Sequence, residues 1–474
     1  MSDKPNLHRG LVVAVVALAV ILALLVGVAV SLPEPSAPTL PTTQPTQSTQ
    51  LTTNPPTTVP TTIPTEPPTV PPTEPPTTAP TEPPITLQSV ATLLNTGDVL
   101  MHMGVVNAAE IEGDNYDYSK LFAFLQSYVE SADYAVANLE TTLAGKDNGY
   151  KYSGYPQFNC PDGIAHSLKQ LGFDMLLTAN NHSYDTRETG FFRTQQVLQE
   201  AGLNHLGTVP SSDIPLWQVQ EIDGVLVGMI CYTYEARSEY HLDKPGLNGI
   251  PMSEKAGALI GRFQYSELDA FYEEMAANID AMETAGAEAI VLYIHWGNEY
   301  QTKENGTQNQ IAQAMCDLGV DVIVGGHPHV VQPMELLTST EDPSQKTVCL
   351  YSMGNFISNQ NRVEMNLKTG HTEDGVLFSF GFNKYSDGTV ILSSVDILPT
   401  WVNRAKVDGK YTYDVLPLDA GIADWQTAFS FTDSQLQLAQ DSYNRTMKIV
   451  GSGLEEVQGY LEQLVAETEL NLGI

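Results

Sequence analysis

The sequence predicts an α/β domain that follows a membrane-spanning helix and a proline-rich stalk. Three observations lead to this prediction: a long apolar run near the N-terminus, a segment dominated by Pro and Thr, and alternating strand-like and helix-like patterns from residue 90 onward. Such alternation is typical of layered α/β domains built on a parallel or mixed sheet. Each of the three parts has its own physical basis.

The apolar run covers residues 11–30 and contains no polar side chain. Its length matches a helix that crosses the hydrocarbon core of a bilayer and exceeds the apolar part of a cleaved signal peptide. Lys4 and Arg9 precede the run, and the next basic residue of this kind is Lys120. The positive-inside rule therefore predicts a single-pass membrane protein with residues 1–10 in the cytoplasm and the remainder outside the cell.

The segment 31–86 consists almost entirely of Pro, Thr, Ser, Gln and Glu, with a degenerate Thr-Glu-Pro-Pro-Thr repeat. Dense proline prevents helices and sheet ladders, and the few apolar residues cannot offset chain entropy, so we expect a disordered, extended linker. At ~3.1 Å per residue it would reach roughly 170 Å. A spacer across a cell wall and an inert linker are both consistent with this composition.

The charge balance restricts the partners, because 56 acidic residues stand against 22 basic ones, for a net charge of −34. Nucleic acid is disfavoured, since its phosphates would be repelled. Passive adsorption of any other polyanion is disfavoured for the same reason, unless a bound metal supplies local positive charge. Alternatively, the acidity serves only solubility. The four cysteines show no metal-site spacing, and disulfides are permitted outside the cell but not indicated.

We assign the folded domain to residues 87–415 and a C-terminal helical segment to residues 416–474. The predicted strands are Ala91–Thr96, Tyr134–Ala137, Phe173–Thr178, Val225–Tyr232, Ala289–Ile294, Val320–Val324, Val348–Ser352, Val376–Phe382 and Thr389–Leu392. The predicted helices are Tyr118–Ala132, Asp162–Leu171, Arg187–Ala201, Glu267–Ala285, Gln308–Leu318, Asp433–Ile449 and Leu454–Glu469.

Polar clusters follow five of these predicted strands at their carboxyl ends. In open α/β sheets ligands bind at this edge, so we expect the clusters to meet there. Asp, Glu, Asn and His are also the ligands of hard or borderline divalent metals. The candidate residues are Asp98, Asn138, Glu140, Asn181, His182, His295, Glu299, His327 and His329.

Each cluster also has a purely structural interpretation. Asp98 can cap a turn, and Asn181 can occupy a left-handed turn position. His295, beside an apolar strand, is compatible with a hydrogen-bonded core histidine. His327 and His329 are harder to explain in this way, because two imidazoles flanking a proline and preceded by glycines form a rigid pair. The occurrence of all five polar clusters at equivalent strand ends favours a metal site.

These motifs resemble the CapA family, also called the capsule-synthesis or PGA-cap domain. The matching segments are Gly97–His102, Asn138–Thr141, Asn180–His182, His295–Glu299, Gly326–Val330 and Ser352–Phe356. The resemblance covers about residues 91–360. It implies a four-layer αββα sandwich of the metallophosphoesterase-like, calcineurin-like type and a surface protein of poly-γ-glutamate synthesis or export. It also implies poly-γ-glutamate and its membrane synthase as partners.

The resemblance further implies roles for individual residues. Metal ligands would be Asp98, Glu140, Asn181, His295, His327 and His329, with Glu140 in the place of the bridging carboxylate. His182 would be the general acid that protonates the leaving group. The cofactor would be one or two divalent ions (Mn, Fe or Zn), which activate water as the nucleophile. Asn138, Glu299 and Asn355 would line the site.

The sequence departs from the phosphoesterase pattern at two motifs. The first motif lacks the histidine expected two residues after Asp98, and the nearest imidazole, His102, would be a substitute ligand or a surface residue. The second motif reads Asn138-Leu139-Glu140 in place of the usual Gly-Asp-x-x-Asp. Two metals, one metal or none therefore remain open.

Three classes of function follow. In the first class, the chain is a metal-dependent hydrolase or transferase acting on a phosphate ester or an amide-linked polymer. This class predicts bound metal and turnover. Alternatively, it is a non-catalytic accessory that guides nascent polymer, which predicts polymer binding alone. A third class, an architectural surface protein, predicts full function without the histidines. The presence of every histidine in the later motifs argues against the third class.

Overall fold

The structure is a computed structural model that describes residues 83–147 and 149–474. The predicted cytoplasmic segment, the membrane helix at 11–30 and the linker up to residue 82 lie outside these residues. Within the described ranges, no helix is both long enough and apolar enough to cross a bilayer. The description below therefore concerns the predicted folded domain and the C-terminal segment.

Two mixed sheets form the centre of the fold. The described strands are β1 Leu87–Val99, β2 Tyr134–Leu139, β3 Met175–Leu177, β4 Asn204–Leu206, β5 Trp217–Ile222, β6 Val225–Tyr234, β7 Gly246–Leu247, β8 Ile250–Pro251, β9 Arg262–Phe263, β10 Ala289–His295, β11 Val322–Gly326, β12 Met334–Thr338, β13 Lys346–Leu350, β14 Asn355–Ile357, β15 Asp374–Tyr385, β16 Val390–Val407 and β17 Lys410–Pro417.

The first sheet has the order β17-β16-β15-β1-β2-β3-β4, with β14 paired to β1. Its β1–β4 half is parallel, whereas β15, β16 and β17 are antiparallel. The second sheet has the order β12-β13-β11-β10-β6-β5, with β9 paired to β6. Its four central strands are parallel, and both edge strands run antiparallel. The predicted mixed α/β architecture is confirmed.

Helices cover the outer faces of the sheets. The described helices are α1 Met103–Ala108, α2 Gln126–Val129, α3 Gly163–Leu171, α4 Arg187–Glu200, α5 Glu254–Gly257, α6 Leu268–Thr284, α7 Gly306–Asp317, α8 Trp425–Ala428 and α9 Asp433–Leu472, with 3₁₀ turns at Ser119–Phe122 and His371–Glu373.

Three apolar clusters define the layers, because alternate side chains of a strand point to opposite faces. In β10, Val291 and Tyr293 join a cluster shared by both sheets, whereas Leu292 and Ile294 pack against α6 and α7. The outer face of the first sheet packs against α1 to α4 in a third cluster. The order is therefore helix, sheet, sheet, helix. All four cysteines are buried and unpaired.

One predicted helix, Tyr118–Ala132, is wrong. The chain there forms a 3₁₀ turn and the short helix α2, closed by bonds between residues three apart, such as Leu121 to Tyr118 and Leu125 to Phe122. Leu121, Phe122, Leu125 and Val129 are nevertheless buried. The spacing of the apolar residues therefore predicted correctly which side chains are buried. The tighter turns of the chain still place these side chains in the core.

The C-terminal segment contains one continuous helix, α9, where the sequence predicts two. Thr432 and Gln435 form a capping box at its start. The two predicted helices leave residues 450–453 between them, a stretch that contains Gly451 and Gly453. Here Gly453 instead permits close packing, since a Cβ at this position would lie 2.0 Å from the carbonyl oxygen of Met334 in β12.

Replacing Gly453 by alanine is expected to destabilise the protein by about 1–3 kcal/mol, the usual cost of overpacking. Gly459 is a matched control in the same helix, since a Cβ there would meet nothing within 4 Å. Gly459→Ala should be neutral or stabilising by up to about 1 kcal/mol. Urea unfolding of both full-length variants measures the difference. Equal effects at the two positions would contradict the close contact with Met334.

Candidate metal centre

The carboxyl ends of the parallel strands in both sheets meet at one buried site. From the first sheet come Asp98 at the end of β1, Glu140 directly after β2 and Asn181 after β3. From the second sheet come His295, the last residue of β10, and the histidines after β11. Residues from the two sheets lie within hydrogen-bond distance of each other here, since His295 Nε2 is 2.8 Å from Asn181 Oδ1. All predicted ligands therefore lie together.

The first group of donors, which we name the histidine-rich half, comprises Glu140, Asn181, His295 and His327. The ligand atoms of Glu140, His295 and His327 lie within 4.8 Å of one another. His295 Nε2 is 3.4 Å from Glu140 Oε1 and also faces the Asn181 amide oxygen. Two imidazoles, a carboxylate and an amide oxygen form a donor set suited to Zn²⁺, Fe²⁺ or Mn²⁺.

The second group, which we name the carboxylate half, comprises Asp98, Glu140 and His329, whose ligand atoms also lie within 4.8 Å of one another. His329 Nδ1 is 3.0 Å from Asp98 Oδ2, and its Nε2 is 3.9 Å from Glu140 Oε1. Asn138 donates its amide to Asp98 Oδ1 at 2.8 Å. Glu140 belongs to both halves, in accordance with a bridging position.

The loop after β11 holds its two histidines in unusual backbone conformations. His327 has φ of +96° and His329 has φ of +56°. Non-glycine residues in this region cost about 1–3 kcal/mol each and persist only where the surroundings enforce them. Gly326 completes the turn, since a Cβ there would lie 3.2 Å from Asp98 Oδ1. The loop thus directs both imidazoles to one place at the expense of backbone strain.

Unpaired buried atoms test whether the residues fit a metal ion. Among the described residues, both carboxylate oxygens of Glu140 and the Nδ1 atoms of His295 and His327 are buried without a hydrogen-bond partner. A buried polar group left unpaired costs about 1–3 kcal/mol, and more if charged. A divalent cation between these donors would compensate their burial, so the residues present fit the cofactor.

The pKa directions agree with this interpretation. Burial lowers the pKa of His295 to about 3 and that of His327 well below its usual range, so both imidazoles are neutral at physiological pH. Neutral imidazole is the form that binds metal. Burial, followed by repulsion from Asp98 and Glu299, raises the pKa of Glu140 well above its ordinary value. Burial opposes ionisation of Asp98, but the hydrogen bonds from His329 and Asn138, together with the electrostatic effects of His329 and His295, outweigh it and lower the Asp98 pKa.

The comparisons with known proteins agree with the geometry. Residues 92–360 match the family described as bacterial capsule synthesis protein PGA_cap. The chain belongs to this family. A capsule biosynthesis protein CapA of Bacillus anthracis is 27% identical over 65% of this chain and 66% of its own length. A PGA biosynthesis protein CapA of Bacillus subtilis is 24% identical over 64% of this chain and 70% of its own length.

The chain therefore spans about two thirds of the length of these PGA_cap relatives. A solved structure described as a putative 5′-nucleotidase from Staphylococcus aureus, in complex with α-ketoglutarate, also matches. Its TM-score is 0.38 at 12% identity, over 75% of this chain and 58% of that chain.

The predicted general acid of this PGA_cap protein, His182, lies beside the centre. It directly follows the ligand Asn181 in the chain, and its backbone N–H donates to Asn180 Oδ1 at 3.2 Å. His182 Nδ1 is 2.7 Å from Asp185 Oδ2, and its Nε2 has no hydrogen bond among the described residues. This pairing fixes a proton on Nδ1 and leaves Nε2 available for a substrate.

Sequence reasoning missed the residues that hold this pair. Asp185 also accepts from the backbone of Phe158 at 2.6 Å and from the Asn248 amide at 3.0 Å. Asn180 donates to Asn138 Oδ1 at 3.0 Å and to the carbonyl of Leu139 at 2.9 Å. A carboxylate three residues after His182 was a usable signal for Asp185, whereas nothing in the sequence connects Asn248 to the site.

The remaining predicted positions take peripheral places. Asn355 donates to the backbone carbonyls of His329 at 3.3 Å and Thr372 at 3.0 Å, which anchors the histidine loop. Glu299 is exposed, and its charge reaches Glu140. His102 belongs to neither half, because its Nδ1 faces the Leu100 carbonyl at 3.3 Å. Burial lowers the pKa of His102 to about 4.

Proposed function

We propose that this PGA_cap protein is a metal-dependent hydrolase or transferase of capsule synthesis, acting on poly-γ-glutamate or on a phosphate ester of the cell envelope. The observation that carries the proposal is Glu140, a buried carboxylate without hydrogen bonds that is shared by two groups of metal-binding side chains. A purely structural core has no reason to retain such a group, because its burial is costly. The ion would be Mn²⁺, Fe²⁺ or Zn²⁺.

We also propose that the chain is anchored in the cell membrane by residues 11–30, with the folded domain outside and its partners the polymer and its membrane synthase. The apolar run, its flanking Lys4 and Arg9, and the Pro/Thr-rich segment behind it support this location. The similarity to the PGA biosynthesis protein CapA of Bacillus subtilis supports the polymer as a partner. A tethered domain could then meet nascent polymer as it leaves the membrane.

The residues of this chain would divide the chemistry between them. Bound metal supplies Lewis-acid activation of water and of the scissile group. Asn181, His295 and His327, together with Glu140, position that ion on rigid strand ends. His182 donates a proton from Nε2 to the leaving group, and Asp185 stabilises the imidazolium before transfer and keeps the ring oriented. The buried position of these groups limits access of bulk water.

A non-catalytic, polymer-handling role is the second candidate, and one observation favours it. Asp98, His329 and Asn138 satisfy one another by hydrogen bonds at 3.0 and 2.8 Å without any ion. A centre filled only in its histidine-rich half would still give the acidic domain a local positive charge. That charge would attract an anionic polymer without requiring turnover.

Replacing His182 by alanine is expected to lower kcat by about 10²–10⁴-fold, the usual contribution of a general acid, with the metal content unchanged. The measurement combines metal analysis of the full-length, detergent-solubilised protein with turnover of poly-γ-glutamate and of a chromogenic phosphodiester. His102→Ala is the matched control and should keep full turnover. A metal-loaded wild type that turns over neither substrate would refute the catalytic proposal and favour polymer handling.

A further inference from the structure

We infer that the two halves of the centre bind metal unequally. The histidine-rich half retains one transition-metal ion, whereas the carboxylate half binds a second, harder cation weakly and reversibly. The inference rests on the metal centre of the proposed function, but it concerns the order, strength and kind of binding at each half. Three independent observations support it.

The first observation is the composition of the halves. The histidine-rich half offers Glu140 Oε1, Asn181 Oδ1 and two imidazoles, of His295 and His327. The carboxylate half offers two carboxylates and the single imidazole of His329. Imidazole nitrogen favours Zn²⁺, Fe²⁺ and similar ions, whereas carboxylate oxygen suits Mn²⁺ and Mg²⁺. The halves therefore differ in donor number and in preferred ion.

The second observation is the hydrogen bonding of the donors. In the histidine-rich half, Nδ1 of His295 and of His327 is buried and has no partner among the described residues. In the carboxylate half, His329 and Asp98 already form a hydrogen-bonded pair that Asn138 supports. An ion entering the carboxylate half must replace two hydrogen bonds of Asp98, whereas an ion entering the histidine-rich half replaces one, between His295 Nε2 and Asn181 Oδ1 at 2.8 Å, and gives the unpaired His327 a partner. The histidine-rich half therefore fills first.

The third observation is the missing ligand at the end of β1. Leu100, two residues after Asp98, is buried and apolar. His102 is directed at backbone atoms, with its Nδ1 3.3 Å from the Leu100 carbonyl and 3.4 Å from the Asn359 amide nitrogen. It is therefore not placed to complete the carboxylate half. Strand β1 contributes one ligand, and the second ion would have to keep more of its own water.

The test is equilibrium dialysis of the full-length, metal-stripped protein against graded Zn²⁺ and Mn²⁺, with metal per chain counted by plasma mass spectrometry. We expect one Zn²⁺ to be retained, and a second ion to bind with a Kd higher by about 100-fold or more. His327→Ala should lose the tight equivalent. His329→Ala should keep it and lose only the weak one, and His102→Ala should change neither.

A gain-of-binding variant guards against variants that merely misfold. Asn138→Asp adds a carboxylate beside Asp98 and should tighten the second ion by about 10–100-fold without altering the first. The absorption spectrum of the first equivalent of Co²⁺ should likewise be unchanged in this variant. Two ions of equal affinity in the wild type would overturn the inference while leaving the proposed centre standing. No metal uptake at all would overturn both.

Discussion

Replacing Glu140 by glutamine is expected to abolish tight metal binding and, at the same time, to stabilise the metal-free protein. The two effects share one cause, because the Glu140 carboxylate is fully buried, faces both halves of the centre and has no hydrogen bond among the described residues. Glutamine removes the acidic group, and its side-chain amide can donate a hydrogen bond to the Asp98 carboxylate. The metal-free variant should gain about 1–3 kcal/mol in its free energy of unfolding.

The loss of metal-dependent stabilisation should be of similar size and opposite sign. An ion at 100 times its Kd stabilises the native state by about 2.7 kcal/mol, and this increment should vanish in Glu140→Gln. Thermal unfolding of the wild type and the variant, each with chelator and with Zn²⁺, separates the two effects. Glu299→Gln is the control, since Glu299 is exposed and belongs to neither half. A variant that keeps the Zn²⁺-dependent increment would contradict the shared position of Glu140.

The pH dependence has a definite sign. Burial raises the pKa of Glu140 in the folded protein, so the folded state holds this proton more tightly than the unfolded state. The contribution of Glu140 to metal-free stability is therefore greatest at low pH and falls as pH rises above the ordinary glutamate pKa of about 4.3. Binding of metal displaces the proton, so apparent affinity should rise with pH. Glu140→Gln should remove the stability slope.

The sequence allowed the candidate ligands to be grouped at one sheet edge because the signals for strand ends are local. A polar residue directly after an apolar run, as at Asp98 or His295, shows both the strand and the end at which it stops. Parallel pairing then brings such ends to one edge, which is a property of the sheet rather than of any residue pair. For this reason the ligand candidates could be gathered without knowledge of the strand order.

What the sequence could not predict depends on contacts between distant segments. The histidine-rich half is assembled where the sheets meet, for example where His295 at the end of β10 faces Asn181 in the loop after β3. The support of Asp185 by Asn248 spans two loops that no local pattern connects. The close approach of Gly453 to Met334 is another contact between distant segments, and helix propensity does not predict it.

A second large effect is expected far from the metal ligands, at the ion pair that joins α9 to β15. Arg445 Nη2 is 2.7 Å and Nε 2.9 Å from the carboxylate of Asp374, and Ser442 Oγ adds a bond at 2.6 Å. The Asp374 side chain is 2% exposed. Arg445→Met leaves a buried charge without its cation, which typically costs about 3–5 kcal/mol.

The deficit should depend on pH. Burial, opposed by the hydrogen bond and charge of Arg445, raises the pKa of Asp374 to about 6 in the wild type. Loss of the cation raises it further, so Asp374 can escape the penalty by taking up a proton at low pH. The deficit in Arg445→Met should therefore be larger at pH 7.5 than at pH 5, as measured by urea unfolding.

The half-exposed pair of Lys169 and Asp174, 3.4 Å apart, provides the matched control. Lys169→Met should cost less than about 1 kcal/mol, because exposed ion pairs contribute little. An equal deficit for Arg445→Met at both pH values would mean that lost packing, rather than the unpaired carboxylate, is responsible. Asp374 begins the strand whose preceding turn accepts the Asn355 amide at Thr372. The ion pair of Arg445 and Asp374 thus holds the C-terminal helix beside the backbone that anchors the histidine loop.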